Sequence, residues 1–401
     1  MRGKKVVVGV SGGIAAYKAA ELVRLLVRAE AHTTVAMTRN ATRFVTPLTF
    51  EALSGHRVIW DMWADAGAPM DHITLGQTSE LIIIAPATAN FIAKAACGVG
   101  DDFLSTLILA ATAKILICPS MNSQMFNHPA VQENLNRLRQ RKIAVMEPGH
   151  GQLACRTDGP GRLPEPADIM ELAHVLLSKH DLSGLRILVT AGPTQEPLDP
   201  VRYIGNRSSG KMGYALAETA RRRGAAVTLI SGPTNLTPPL GIEYREIKTA
   251  EQMRDAVFAH RPESDIIIKA AAVSDYRPRA SAAHKIKKGK DSLNLELVKN
   301  PDILSELASK KAMPRCLLVG FAAETEDLLT HAKKKMKSKA LDMIVANDVS
   351  GEDAGFETDT NRVKIVYKDG QVEDVPLMTK TEVADVLLDR IKTIWESRVD
   401  A

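Results

Sequence analysis

The chain has 401 residues, room for two or three domains of ordinary size, and each half is long enough to bury a core. Its 45% hydrophobic and 25% charged residues are typical of a soluble globular protein, and 4% aromatics argue against nucleic-acid stacking platforms. A net charge of +5, small beside 52 basic and 47 acidic residues, selects no partner.

The opening apolar run is too short for a signal peptide and is interrupted by Ser11-Gly12-Gly13. No stretch approaches the ~20 apolar residues of a membrane span. A β-branched strand over 5–10 ends in glycines. Helical periodicity follows over 14–29, with Lys18, Glu21, Arg24 and Arg28 on one stripe and Leu22, Val23, Leu25 and Leu26 filling the rest. Strands are predicted at 33–37, 81–85 and 114–118, with helices at 89–96, 103–111 and 129–141. Asp168 and Glu171 read as a capping box for a helix ending near Lys179. Residues 180–184 form a polar, turn-prone linker, so the predicted domains are 1–182 and 183–401.

After the linker the pattern restarts. Strands are predicted at 186–190, 226–230, 265–270, 317–321 and 343–346, with helices at 212–223 and 381–397. This alternation predicts two tandem doubly wound, Rossmann-like α/β domains with mainly parallel sheets, the first of them flavodoxin-like. Residues 278–300 are basic, rich in small residues and aperiodic, and read as a long mobile loop. Cys97, Cys118, Cys155 and Cys316 are far apart without a C-x-x-C pair, so neither a zinc site nor a disulfide framework is indicated. A reducing cytoplasm is the default. Cys97, Cys118 and Cys316 read as buried, inert thiols, whereas Cys155 lies in a Gly/Asp/Pro-rich loop.

Residues 10–18, Val-Ser-Gly-Gly-Ile-Ala-Ala-Tyr-Lys, follow a strand and open a helix, where backbone N–H groups bind phosphate. The spacing is not G-x-G-x-x-G, so a tight turn without a ligand fits equally well. Three further segments follow in order, Asp71-His72-Ile73-Thr74-Leu75-Gly76, Pro119-Ser120-Met121-Asn122-Ser123-Gln124-Met125, and Gly151 to Arg162, and Ala85 to Asn90 adds a fourth. Together they resemble the flavin-dependent cysteine decarboxylases over most of residues 5–165. That resemblance implies FMN, held by Ser11, Gly12, Gly13, Ile14, Thr38, Pro86, Ala87, Thr88 and Ser105.

It also implies a chemistry. Cysteine has no electron sink beside its carboxylate. Oxidising the thiol to a thioaldehyde, with FMN taking the hydride, creates one, and CO₂ then leaves readily. The resulting enethiolate takes hydride back from reduced FMN and a proton from an acid. His72 is the implied base, Asn122 the holder of the substrate carboxylate, and Cys155 the acid. Without the resemblance, His72 is an ordinary surface or capping histidine and Asn122 an Asx cap for a helix from Ser123.

In the second half, Gly205-Asn206-Arg207-Ser208-Ser209-Gly210-Lys211-Met212 almost reads as a P-loop. Met212 stands where Ser or Thr must bind Mg²⁺, and the segment lies well beyond its strand, so a Walker-type ATPase is rejected. Instead, residues 190–213, with Ala270 to Tyr276, Lys285-Ile286-Lys287-Lys288, Asn300 to Ile303, Gly320 to Thr325 and Ala346-Asn347-Asp348, are similar to the phosphopantothenate–cysteine ligases. The resemblance implies CTP as co-substrate, with Mg²⁺ and cationic side chains neutralising polyphosphate. It makes Lys285 the activation lysine and gives CTP contacts to Asp275, Pro301, Asp302, Ile303, Phe321, Lys335 and Lys339.

Each residue also has a plainer reading. Lys335 and Lys339 fit a solvated basic helix face beside Lys333, and for Lys334 and Lys337 that reading stands. Asn206 either holds the acyl-cytidylate or occupies a turn. Asp275 binds ribose or metal, or caps a turn. Phe321 lines a base pocket or belongs to the core. Arg207 departs from the histidine common at its place, making that charge fixed rather than titratable. No metal ligand is assigned.

Two other readings compete. A flavin decarboxylase acting on a peptide C-terminal cysteine is disfavoured by the ligase-like half. A non-catalytic flavoprotein regulator is disfavoured by the presence of Cys155 and Asn122. The resemblance implies small-molecule substrates (4′-phosphopantothenate, cysteine and CTP), with no nucleic-acid or membrane partner. It also implies a homo-oligomer, a dodecamer where trimeric first domains combine with dimeric second domains.

Overall fold

The computed structural model describes residues 1–63, 70–152, 158–287, 293–309, 316–324, 328–348 and 358–399. The chain divides into two compact units, Met1–Ser178 and Lys179–Ala401.

In the first unit, strands β1 (Lys5–Val10), β2 (His32–Met37), β3 (Leu81–Ala87), β4 (Lys114–Pro119) and β5 (Ala144–Val145) form a parallel sheet in the order β2-β1-β3-β4-β5. Every residue of β3 is buried, as expected of a strand covered on both faces. Helices α1 (Ala16–Arg28), α2 (Pro47–Ser54), α3 (Asp71–Thr78), α4 (Ala89–Cys97), α5 (Phe103–Ala110), α6 (Ser123–Asn127), α7 (Pro129–Gln140) and α8 (Pro166–Leu177) surround it. α1 turns Ala16, Ala19, Leu22, Val23 and Leu26 inward, the i, i+3, i+4, i+7 spacing that makes one apolar stripe. A separate antiparallel hairpin joins β6 (Gly149–Gln152) and β7 (Asp158–Arg162).

The capping box expected at Asp168 and Glu171 is not formed. α8 begins two residues earlier, with Pro166 in its first turn and Glu165 at the N-cap without a side-chain cap bond. Proline's fixed φ and missing N–H suit that first turn, so the helix starts there and Asp168 falls inside it. Two of the cysteine expectations also change. Cys97 ends α4 and is exposed, and Cys316 is only half-buried, while Cys118 is fully buried on β4.

The second unit holds an eight-stranded sheet in the order β12-β11-β8-β13-β16-β17-β18-β19. Its strands are β8 (Arg186–Ala191), β11 (Ala226–Ser231), β12 (Glu243–Glu246), β13 (Ile266–Lys269), β16 (Leu317–Glu324), β17 (Met343–Asp348), β18 (Thr360–Tyr367) and β19 (Val372–Thr379). The first six in spatial order run parallel, while β18 pairs antiparallel with both β17 and β19. Short ribbons pair β9 (Gln195–Pro197) with β10 (Tyr203–Gly205), and β14 (Tyr276–Pro278) with β15 (Leu297–Lys299). The helices are α9 (Lys211–Arg222), α10 (Ala250–His260), α11 (Ile303–Ser309), α12 (Leu328–Ser338) and α13 (Lys380–Val399).

The β14–β15 pairing corrects the expectation of an unstructured 278–300. Both ends of that segment are held in a ribbon, extended by Arg279 N–H donating to the Glu296 carbonyl. Leu188 of β8, Ile267 of β13, Met253 and Val257 of α10, and Ile303 and Leu307 of α11 form one apolar layer between the sheet and these helices. Among the described residues no helix is long and apolar enough to cross a membrane.

Each sheet has one place where strand order reverses. In the first unit it lies between β1 and β3, in the second between β8 and β13. Loops leaving the carboxyl ends of such neighbouring strands diverge and open a crevice, the usual ligand address of open α/β sheets.

Candidate functional sites

At the first reversal the chain leaves β1 through Ser11 and leaves β3 through Pro86, Ala87 and Thr88. Ser11 is 1% exposed. Its hydroxyl donates to the Pro86 carbonyl at 2.8 Å and accepts from the Thr88 backbone N–H at 2.9 Å. Thr88 also caps α4 by accepting from Phe91 N–H at 3.4 Å. The two loops are thereby tied together, and the α4 N-terminus opens beside them. Gly12 is required by closeness: a Cβ there would stand 2.5 Å from Asn40 Cβ and 2.8 Å from the Asn40 carbonyl carbon. Gly13 is roomier, its nearest neighbour being Thr88 Cγ2 at 3.5 Å, and Ile14 is exposed.

Thr38 follows β2, and its N–H donates to Val10 carbonyl at 3.0 Å. Its hydroxyl is buried without a hydrogen-bond partner among the described residues. A buried orphan oxygen of this kind calls for a partner from outside the chain. Ser105 is placed differently. It is the N3 residue of α5, and its hydroxyl forms a capping box with Asp102, accepting from Asp102 N–H at 3.1 Å.

The implied substrate-handling residues sit on three further segments. Asn122 is the N-cap of α6, its Oδ1 accepting from Gln124 N–H at 2.8 Å. The β6–β7 hairpin presses on this cap. Met121 N–H donates to Gly161 carbonyl at 2.9 Å, and Gly161, at φ +136°, has room for no side chain because Met121 carbonyl would stand 2.2 Å from its Cβ. The Ser123 hydroxyl is buried and has no partner among the described residues. Cys155 falls in sequence between Gln152 and Asp158, outside the described residues. His72 is the second residue of α3, its ring packed edge-on to Phe103 of α5 at 6.5 Å between centroids.

At the second reversal the β8 and β13 loops interlock. Ala272 N–H donates to Gly192 carbonyl at 2.9 Å, and Ser274 N–H to the Thr194 hydroxyl at 3.0 Å. Asn206 reaches back to the Ala272 carbonyl at 3.3 Å. Two cavities flank this knot. One, of about 400 Å³, is lined by Asp275, Pro301, Asp302, Ile303, Phe321, Lys335 and Lys339, all expected to contact nucleotide. The other, of about 410 Å³, is lined by Asn206 through Gly213, with Asn347, Asn361 and Lys380. Ala271, Val273, Asp275, Phe321 and Lys335 border both, so the two are halves of one crevice.

Charge inside the crevice is arranged by specific bonds. Lys335 Nζ donates to the Phe321 carbonyl at 2.9 Å, and Lys339 pairs with Asp302 at 2.9 Å. Burial would raise the Asp302 carboxyl, but the bonds from Lys339 and Ser305 outweigh it and hold the group below the usual range. Lys333, Lys334 and Lys337 of the same helix face solvent. Asn347 Oδ1 and the Ser274 hydroxyl are buried without partners.

Lys285 does not line either cavity, and its side chain is exposed. Its segment is anchored instead through Ile286, whose N–H donates to Asp199 Oδ2 at 3.1 Å and whose carbonyl accepts from Arg202 at 2.7 Å. Burial would raise the Asp199 carboxyl, but Arg202 and three backbone N–H groups hold it far below the usual range.

Two lysines were missed from sequence. Lys269 lines the first cavity at 7% exposure, and Lys380 the second at 6%. Burial lowers Lys380 to about 8, with Lys211 pushing the same way and Asp359 opposing. Lys269 ends the run Ile266-Ile267-Ile268, and a cation closing an all-apolar strand was the signal available in the sequence. Among the described residues no cluster of three His, Cys, Asp or Glu is placed to hold a metal.

Two doubly wound units, each with a polar crevice at its strand reversal, define a two-site α/β protein. Residues 1–178 match the family described as Flavoprotein, and 182–394 the DNA/pantothenate metabolism flavoprotein C-terminal domain. Curated relatives share the full length. The coenzyme A biosynthesis bifunctional protein CoaBC of Bacillus subtilis (strain 168) is 47% identical over 98% of this chain and 98% of its own. Those of Vibrio cholerae serotype O1 (strain ATCC 39315 / El Tor Inaba N16961) and Mycobacterium tuberculosis (strain ATCC 25618 / H37Rv) are 46% and 45% identical, each over 97% of this chain and 98% and 96% of their own. The chain belongs to the family of coenzyme A biosynthesis bifunctional proteins.

Proposed function

We propose that the second unit joins 4′-phosphopantothenate to cysteine using CTP, and that the first decarboxylates the product to 4′-phosphopantetheine using FMN. The observation that carries this reading is the single crevice gathering Asp275, Pro301, Asp302, Ile303, Phe321, Lys335 and Lys339. In the ligation, the substrate carboxylate attacks the α-phosphorus of CTP and pyrophosphate leaves. The cysteine amine then attacks the acyl carbon, forming the amide and releasing CMP. Lys335 and Lys339 neutralise the phosphates, and Asn206 on the adjoining wall holds the activated acyl group. Asp275 would be the carboxylate of this crevice available to Mg²⁺, which would supply charge neutralisation to the nucleotide phosphates. Lys285, carried on the segment anchored at Asp199, delivers its charge from outside the cavity.

The first unit fits FMN. The Thr38 hydroxyl lacks a partner among the described residues, Gly12 lets the loop after β1 pass close against Asn40, and Ser11 and Thr88 hold the two flanking loops together. When bound, FMN accepts and returns hydride at the substrate thiol carbon. Asn122, oriented by its capping bond, receives the carboxylate; His72 moves the proton, and Cys155 supplies one to the product carbon. A cytoplasmic homo-oligomer belongs to the same reading.

The test is incubation of the full chain with 4′-phosphopantothenate, cysteine, Mg²⁺ and either CTP or ATP, following pyrophosphate, CO₂ and the flavin spectrum together. Pyrophosphate with CTP, then CO₂ from a yellow protein, is the expected result. A yellow protein releasing neither product overturns the reading.

A further inference from the structure

Lys269 is the last residue of β13, beside the strand reversal of the second unit. Its neighbour Ile267, two residues back on the same face, packs into the apolar layer of Met253, Val257, Ile303 and Leu307. Strand alternation therefore points Lys269 into that layer. It is 7% exposed, and its Nζ lies 3.7 Å from Met253 Sδ. No carboxylate of the described residues pairs with it.

The charged groups facing it are Lys335 on α12, Lys339 just beyond that helix, and Asp302 ahead of α11. Asp302 is already paired with Lys339. Lys269 thus adds a third buried or half-buried ammonium to a cavity whose facing acid is spent. A buried cation without a partner costs stability, and a methionine or leucine would fill this position at no such cost. An acceptor oxygen arriving in the cavity removes that penalty. Burial lowers the amine to about 7, Lys335 and Lys339 push it the same way, and Asp302 opposes.

We propose that Lys269 is a further nucleotide-binding residue of this cavity, donating to an acceptor oxygen of the bound nucleotide, whose negative charge draws a proton onto its amine. The inference rests on the cavity being the CTP site. It makes nucleotide binding in this chain proton-linked, with affinity falling as pH rises above the free value of about 7.

The test is calorimetric titration of the full chain with Mg²⁺–CTP, without phosphopantothenate, in buffers of different ionisation enthalpy at pH 7 and pH 8. The wild type takes up roughly half a proton at pH 7 and close to one at pH 8, beyond any change in the nucleotide itself. Lys269→Met loses that uptake, binds CTP about tenfold more weakly, and melts at the same or a higher temperature. Lys269→Arg, always charged, keeps affinity without uptake. Equal affinity and equal proton uptake in wild type and Lys269→Met would mean a merely buried lysine and overturn the inference alone. Wild type that binds no CTP overturns the nucleotide reading of the cavity together with it. Should Lys269→Met fail to fold, uptake near zero by the wild type at pH 8 is sufficient to reject the proposal.

Discussion

At the strand reversal of the first unit the converging groups are hydroxyls and backbone: Ser11, Thr38, Thr88 and Gly12, which is packed against Asn40. At the reversal of the second they are ammonium groups: Lys269, Lys335 and Lys339 around one cavity, Lys211 and Lys380 around the next. Strand order assigns both units the same address for a ligand, yet the loops equip those addresses oppositely. Hydroxyls and peptide groups position a ligand without changing its charge, which suits a redox cofactor. Clustered lysines neutralise a polyanion whose phosphates are being transferred, and they impose burial costs that lower their own basicity. One site is organised by geometry and the other by electrostatics, so substitutions should separate them cleanly.

The largest separation is expected at Lys335, which borders both halves of the second crevice. Lys335→Ala removes a charge-assisted donor worth about 2–3 kcal/mol, so CTP-dependent pyrophosphate release should fall roughly 100-fold. The flavin absorbance should be unchanged. Loss of flavin together with ligation would break the comparison. Gly12→Val is the converse. Its side chain must displace Asn40 backbone, not a flexible tip, so the first unit should lose about 1–3 kcal/mol and its flavin. Absorbance and thermal unfolding read this, while pyrophosphate release stays within about twofold of wild type.

How much of this was legible in the sequence varies by residue. Residues 6–10 in β1, 81–87 in β3 and 266–268 in β13 carry no charge and are buried, as strands covered on both faces are, so composition alone marked them. α3 was not marked as a helix: Asp71–Thr78 carries Gly76 and no apolar stripe, because only Gly76 within it is buried. β18 buries every second residue from Asn361 through Val363 to Ile365 and offered a strand signal that went unread. Pro166 outweighed the Asp168–Glu171 spacing because proline fixes where a helix begins, whereas a capping pair only stabilises a start. In the sites, motif residues were readable because loops carry them in short runs. Lys380 was not, and Lys269 showed only as a cation closing the run Ile266-Ile267-Ile268, since the role of both depends on burial created by strands and helices distant in sequence.

Asp199 tests whether the exposed Lys285 belongs to the charged site. Asp199→Asn keeps shape but removes the charge that holds Arg202 and the Ile286 N–H, so ligation should fall about tenfold with flavin unaffected. The folded carboxyl is depressed, so its stabilisation is present above the unfolded value of about 3.9 and is lost as pH falls through the lower folded value. The melting-temperature gap between Asp199→Asn and wild type should therefore be full at pH 7 and shrink in acid below about pH 4. A gap independent of pH would mean that shape rather than charge anchors the segment.

The smallest effect separates two uses of one hydroxyl in the neutral site. Ser105 is among the residues the decarboxylase resemblance assigns to FMN, yet its hydroxyl accepts the Asp102 N–H and donates to Asp102 Oδ1 at 2.9 Å. Both bonds are internal to the cap of α5, and Ser105 is 3% exposed. If the cap is its whole work, Ser105→Ala costs about 1 kcal/mol of stability, as capping losses do, and leaves flavin affinity within about twofold. If the hydroxyl turns to the flavin when it binds, affinity falls while the free protein's melting temperature barely moves. Measuring flavin affinity and unfolding of the flavin-free protein on the same variant distinguishes them. The second outcome would extend the flavin-holding set of hydroxyls from the loops of β1, β2 and β3 to a helix start.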